Sequence, residues 1–198
     1  MCEREFARAA MPALIQALPV FEGAPVPWFA AWREHRPDFA AGISNQKFER
    51  ANYQHVCVVC GRRLRPPVGF FGYVLTPMER AAFWPPAHVD CATWSMRHCP
   101  FIRSVEDNDP HVKMVWITRR WSTVPYGAGP DGRRAWFLLG PPRGVEWYVG
   151  GRAATRAEVL HALRLELRGL EWGESGQYGR VFGLGRRKRQ LQRWLPAS

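Results

Sequence analysis

The sequence predicts an α+β fold: a treble-clef-like zinc site beside a small antiparallel sheet, with a long C-terminal helix packed on that sheet. Three observations predict it. Cys57 and Cys60 form a CxxC pair answered downstream by His88 and Cys91, the spacing of a four-ligand metal site. Stretches such as "VGFFGYVLT", "HVKMVWIT" and "VEWYVGG" concentrate aromatic and β-branched residues between glycines and prolines, as short strands do. "TRAEVLHALRLELRGLEW" sets leucines at helical spacing behind a capping box.

Composition agrees with one folded unit. A chain of 198 residues that is 46% hydrophobic and carries ten tryptophans can bury a core, which excludes global disorder. Seventeen prolines and eighteen glycines interrupt it, so short elements joined by irregular chain are expected.

Taken in order, residues 1–43 read as a Pro/Trp-rich N-terminal helical arm. Phe6, Ala9, Ala10, Leu14 and Leu18 share one side of a helix that Pro19 stops. Trp28 and Trp32 then stand four apart in a short helical turn among Pro25, Pro27 and Pro37. Residues 44–104 form the treble-clef-like zinc-binding region. Ser44 caps a helix over 44–54 that leads into the cysteine pair, a strand follows over 68–76, and "PMERAAFWPP" turns the chain. A helix starting just after Pro86 runs to Cys99, where Pro100 ends it.

Residues 105–179 supply antiparallel strands and the amphipathic helix. The strand at 111–118 is followed by "RAWFLLG" and "VEWYVGG", joined through "PPR" as an antiparallel pair, with Val145, Trp147 and Val149 on one buried face. Thr155 and Glu158 cap the last helix reciprocally, and Leu160, Leu163, Leu167 and Leu170 form the stripe it lays on the sheet. His161 stands at the edge of that stripe. Residues 180–198 are a basic C-terminal tail.

The net charge is +11, with 25 arginines against 3 lysines. GC-rich codons explain the preference for arginine over lysine, but not the excess of base over acid, which suits nucleic acid or an acidic protein surface. Residues 179–198 hold six basic residues and no acidic one. Arg186, Arg187, Lys188, Arg189 and Arg193 are candidate phosphate contacts, extended by Arg62, Arg63 and Arg65 beside the cysteine pair. A merely solubilising terminus is the competing reading. Trp194 either stacks on bases or docks on the core.

No apolar run reaches the roughly eighteen residues of a membrane span, and the opening "MCEREFARAAMPALIQALPVF" offers no clean cleavage site. A cytoplasmic protein with no membrane partner is expected. Five cysteines with a single CxxC pair suit metal binding in a reducing compartment better than a disulfide framework.

The metal site is assigned to Cys57, Cys60, His88 and Cys91. A CxxC turn aims two sulfurs at one point, Gly61 permits the tight turn, and His88 and Cys91 share a face at the start of the helix. Four protein ligands leave no open position, so zinc is expected to be structural. Cys99 competes for the fourth place but lies about 12 Å further along a continuous helix, which favours a role in packing.

The order "CVVCGRRL", "PPAHVDCATWSMRHCPF" and "VEWYVGGRAATRAEVL" resembles an uncharacterised zinc-binding family of bacterial chromosomes, plasmids and bacteriophages. Its members carry CxxCG, PPxHxxCAxxxxxxCPF and GRxATRAEVL motifs. The resemblance covers roughly residues 45–170 and implies the same zinc site, a single folded unit and a fixed role for Cys99. No catalytic residue carries over.

No reaction is legible. An HNH-type nuclease needs a histidine on the hairpin strand, and "GFFGYVLT" has none. A zinc deaminase needs a histidine-x-glutamate ahead of its cysteines, which is absent here. "EDNDPHVK" offers oxygen ligands for a divalent cation, but Asn108, Asp109 and Pro110 are turn formers and a solvated turn is expected. Two function classes follow, with an HNH-like nuclease a distant third. One is a non-enzymatic, zinc-stabilised nucleic-acid-binding protein. The other is a protein-binding module of a mobile element that inhibits or redirects a host enzyme or defence complex, with Trp28, Trp32 and Trp84 as its contact candidates.

Overall fold

The computed structural model describes residues 11–43, 45–103, 112–125, 135–172 and 192–197. The first half of the predicted N-terminal helix, the Ser44 cap, the turn at 106–110 and most of the basic tail lie outside these.

Residues 20–43 are mainly strand, which corrects the helical arm expected there. Helix α1 is one turn, Ala13–Gln16, anchored by buried Ile15. Two hairpins follow, β1 (Val20–Phe21) with β2 (Ala24–Pro25) and β3 (Ala30–Arg33) with β4 (Arg36–Ile43). Their turns are two residues long with left-handed backbone, φ 49° and 78° at Glu22 and Gly23, 45° and 67° at Glu34 and His35. Such turns match the natural strand twist. The prolines that fragment a helix by removing amides are tolerated on short edge strands, so Trp32 sits in β3. Helix α2 (Asn45–Tyr53) then leads to the cysteines as expected.

The body is a five-stranded antiparallel sheet. Its strands are β5 (Val68–Tyr73), β7 (Ala87–His88), β8 (Lys113–Thr118), β11 (Pro142–Val149) and β12 (Arg152–Ala153), in the order β12-β11-β8-β5-β7. Between β5 and β7 come one-turn α3 (Thr76–Glu79) and β6 (Ala81–Ala82). Helix α4 (Val89–His98) follows β7, then α5 (Pro100–Arg103). Because β5 pairs with β8, the region of the cysteine pair and the later strands share one sheet.

Alternation assigns the two faces. Helix α4 covers one: a Cβ on Gly69 would stand 2.9 Å from Val115 and 3.0 Å from Ala92, so this glycine lets helix and strand touch. Tyr148 lies on the same face, beneath Arg97 of α4. The opposite face carries Phe70, Met114 and Trp116, all fully buried. There Phe70 packs on Phe137 and Trp121 of a second sheet, with ring centroids 5.6 and 5.9 Å apart. Residues 147–149 are therefore all buried, where alternation alone predicts one face.

That second sheet overturns the expected hairpin of "RAWFLLG" with "VEWYVGG". Strand β10 (Ala135–Leu139) lies between β6 and β9 (Trp121–Pro125), away from β11. The linker between β10 and β11 is used by other groups. Gly140 N–H donates to Arg120 O at 2.8 Å, while the Trp116 indole and Thr118 hydroxyl donate to the Gly140 and Pro141 carbonyls at 3.1 and 2.9 Å.

Helix α6 (Arg156–Trp172) begins with the expected capping box: Thr155 N–H donates to Glu158 at 2.8 Å and Glu158 N–H to the Thr155 hydroxyl at 3.3 Å. Its buried face is Val159, Ala162 and Leu163, with Leu160 and Leu167 half-buried and His161 exposed. A 3-10 turn, Gln192–Trp194, closes the described chain. The Trp147 indole donates to Trp194 O at 2.6 Å, the Trp116 and Trp194 rings lie 6.1 Å apart, and Leu195 packs on the core. Trp194 therefore belongs to the core.

Candidate metal centre and the basic edge beside it

The loop carrying the CxxC pair closes on itself. Val56 and Arg63 form an isolated bridge, Cys57 N–H donates to Arg62 O at 2.7 Å, and Gly61 N–H donates to Cys57 O at 2.8 Å. Gly61 has φ +70°, which other residues rarely adopt. A Cβ on it would also stand 2.5 Å from the Trp28 ring, and Trp28 N–H donates to Val59 O at 2.7 Å. The knuckle is thus roofed by the N-terminal hairpin region.

His88 ends β7 and is the N-cap residue of α4, so the helix starts two residues later than its expected place. Cys91 sits in the first turn. The knuckle meets this corner through Val58 N–H, which donates to Pro86 O at 3.1 Å, and His88 N–H, 3.4 Å from Cys57 Sγ. The ligand atoms of Cys57, Cys60, His88 and Cys91 all lie within 4.8 Å of one another and can hold a metal ion. A tetrahedral zinc with thiolate and imidazole ligands sets S···S near ~3.8 Å and S···N near ~3.6 Å. His88 Nδ1 lies 3.4 Å from Cys60 Sγ and 4.0 Å from Cys91 Sγ, which brackets that spacing. His88 Nε2 is 3.2 Å from Arg63 O. A carbonyl only accepts, so Nε2 carries a proton toward Arg63 O, and Nδ1 faces the sulfurs, where a metal ion would take the place of its proton.

The protonation pattern fits the same role. Burial opposes ionisation of Cys57, but hydrogen bonds from Cys60, Cys91 and His88 outweigh it and hold its thiol well below the ordinary range. Hydrogen bonds to Cys57 and Cys60 push the Cys91 thiol well above it, and the same two partners raise His88 to about 10 against the effect of burial. Donors thus converge on the Cys57 sulfur, where a cation substitutes for their protons. Among the described residues all cysteines are free thiols, and Cys99 closes α4 outside the cluster.

The sheet places further basic residues beside this corner. Register aligns His88, Val68, Thr118 and Pro142 in one row across four strands, about 14 Å wide. Around that end stand Arg62, Arg63, Arg65, Arg119, Arg120 and Arg143, all exposed. Arg143 is the extra residue of a β-bulge, a feature that re-aims a side chain. Residues 57–78, 112–125 and 135–145 contain no acidic residue, although Asp90 follows close by in α4. Sequence reasoning named the first three arginines and missed the other three. "TRR" ending a strand was the only signal for Arg119 and Arg120 and "PPR" for Arg143, and strand order was needed to bring them to the knuckle.

The other predicted site residues are distributed differently. Arg186, Arg187, Lys188 and Arg189 lie outside the described residues, and Arg193 is exposed beside the docked Trp194. Trp28 is half-buried over Gly61, with Lys47 and Arg50 at 5.9 and 5.6 Å from its ring, so it serves the knuckle itself. Trp32 and Trp84 are 43% and 44% exposed, and both remain available at the surface. No described helix is long and apolar enough to cross a membrane. No protein-family model, curated protein or solved structure matches the chain.

Proposed function

We propose that this protein is a non-enzymatic, zinc-stabilised nucleic-acid-binding protein. The observation that carries the reading is the row of exposed arginines at the metal-bearing end of the sheet, drawn from segments free of acid. Clustered guanidinium groups fork onto phosphate oxygens and release counterions. Zinc is the metal that suits three thiolates and one imidazole at this spacing, and a full set of protein ligands makes it structural. The knuckle, the antiparallel pair β5–β7 and then α4 with Cys91 in its first turn are read as a treble-clef arrangement. Reduced thiols suit a cytoplasmic setting, and the motif resemblance suits a mobile-element origin.

The test is binding of labelled oligonucleotides by the metal-loaded protein at several salt concentrations. Affinity should fall steeply with salt, and replacing Arg119, Arg120 and Arg143 by glutamine should reduce the log–log slope by roughly 2 to 3. No binding at low salt overturns the reading.

A second reading, a module that binds and inhibits or redirects a host enzyme or defence complex, draws support from exposed Trp32 and Trp84. It predicts a protein partner whose binding survives high salt and fails on substitution of these rings.

A further inference from the structure

Beside the arginine row, the knuckle lies between two aromatic segments. Trp28 is fixed to it through Val59 O at 2.7 Å, and Pro86 through Val58 N–H at 3.1 Å. Phe29 and Trp84, one from each segment, meet with ring centroids 5.9 Å apart at 60°. Trp84 is 44% exposed. Cationic groups stand at the neighbouring knuckle: Lys47 and Arg50 at the Trp28 ring, Arg62 and Arg63 directly after Gly61. Residues 24–33, 55–65 and 80–89 contain no acidic residue.

A partly exposed indole beside a cationic knuckle has one well-matched occupant. A base stacks on it while its phosphates reach the guanidinium groups. In a duplex each base face is already covered by the neighbouring pair, so the ring has no access. A protein surface would meet the indole equally well but would have to bring carboxylates for the arginines. We infer that the Phe29–Trp84 pair beside the knuckle is a stacking platform for single-stranded nucleic acid, an inference that rests on the nucleic-acid reading above.

The test compares a thymidine oligonucleotide with an abasic oligonucleotide of equal length, which presents the same phosphates without rings. Fluorescence anisotropy of the metal-loaded full chain should show at least about ten-fold tighter binding of the thymidine strand, one base stack's worth. Trp84→Ala should abolish that difference while leaving abasic binding unchanged, and Trp84→Phe should retain most of it. Equal affinity for both strands in the wild type, or an equal loss of both in Trp84→Ala, overturns the platform while leaving the arginine contacts intact. If neither strand binds at any salt concentration, the nucleic-acid reading itself falls, and capture of a protein partner by the same face becomes the result to explain.

Discussion

Trp28 and Gly61 are fitted to each other: the indole occupies the space that any side chain at position 61 would need, with its Cδ1 2.5 Å from where a Cβ would stand. The same glycine carries the left-handed backbone that turns the knuckle after Cys60, φ +70°. Gly61→Ala therefore combines backbone strain with overpacking and should cost about 2–4 kcal/mol by chemical denaturation. Gly23→Ala is the control. It has φ +78° but nothing within 4 Å of its Cβ position, so only the conformational cost of about 1 kcal/mol should appear.

Metal content should follow the cluster. Purified protein should carry one zinc per chain by elemental analysis, and Cys57→Ser or His88→Ala should lose it, while Cys99→Ser should keep it. Chelation should lower Tm and first release amide protection at residues 55–64 and 87–91 in hydrogen exchange, because these are the segments the ion joins. Loss of protection that begins elsewhere would count against a structural metal.

The capping box of α6 gives a pH prediction. The Arg152 guanidinium and the Thr155 amide hold Glu158 down at about 2, below its ordinary 4.5. A depressed carboxylate contributes stability that is fully present above pH 4.5 and is lost as pH falls through about 2. Glu158→Gln should therefore destabilise at neutral pH, with the difference from wild type closing across that window, and more weakly in high salt because the pair is near the surface. Thr155→Ala should cost about 1 kcal/mol.

Trp194 is half-buried against Trp116 and Trp147, so Trp194→Ala should destabilise by about 2–3 kcal/mol and alter near-ultraviolet dichroism. A deletion of residues 180–198 would remove this anchor together with the arginines. Charge-neutral substitution of Arg186, Arg187 and Arg189 is therefore the cleaner measurement of the basic segment.

The metal ligands were readable because the chemistry is local: a CxxC turn, and a histidine and cysteine three apart at a helix start. Helix α6 was readable for the same reason, since its cap and apolar periodicity are both local. What eluded sequence reasoning was pairing between distant strands. "RAWFLLG" and "VEWYVGG" look like neighbours along the chain, yet Phe137 belongs beside Thr123 and Ala82, and Trp147 beside Met114. The arginines at 119, 120 and 143 were overlooked with it, because only strand order carries them to the knuckle. The β3–β4 hairpin was missed because Glu34 and His35 adopt a left-handed turn without a glycine to announce it.

The cysteines of the cluster have almost no contact with solvent: Cys57 and Cys91 are 0% exposed and Cys60 is 7% exposed. A chelator can therefore take the place of a sulfur ligand only when this corner opens, while His88 is half-exposed. Metal transfer should become independent of chelator concentration once capture outpaces reclosure, and the plateau rate would be the breathing rate of the knuckle against α4. On that account the ion is held as much by a kinetic gate as by its affinity.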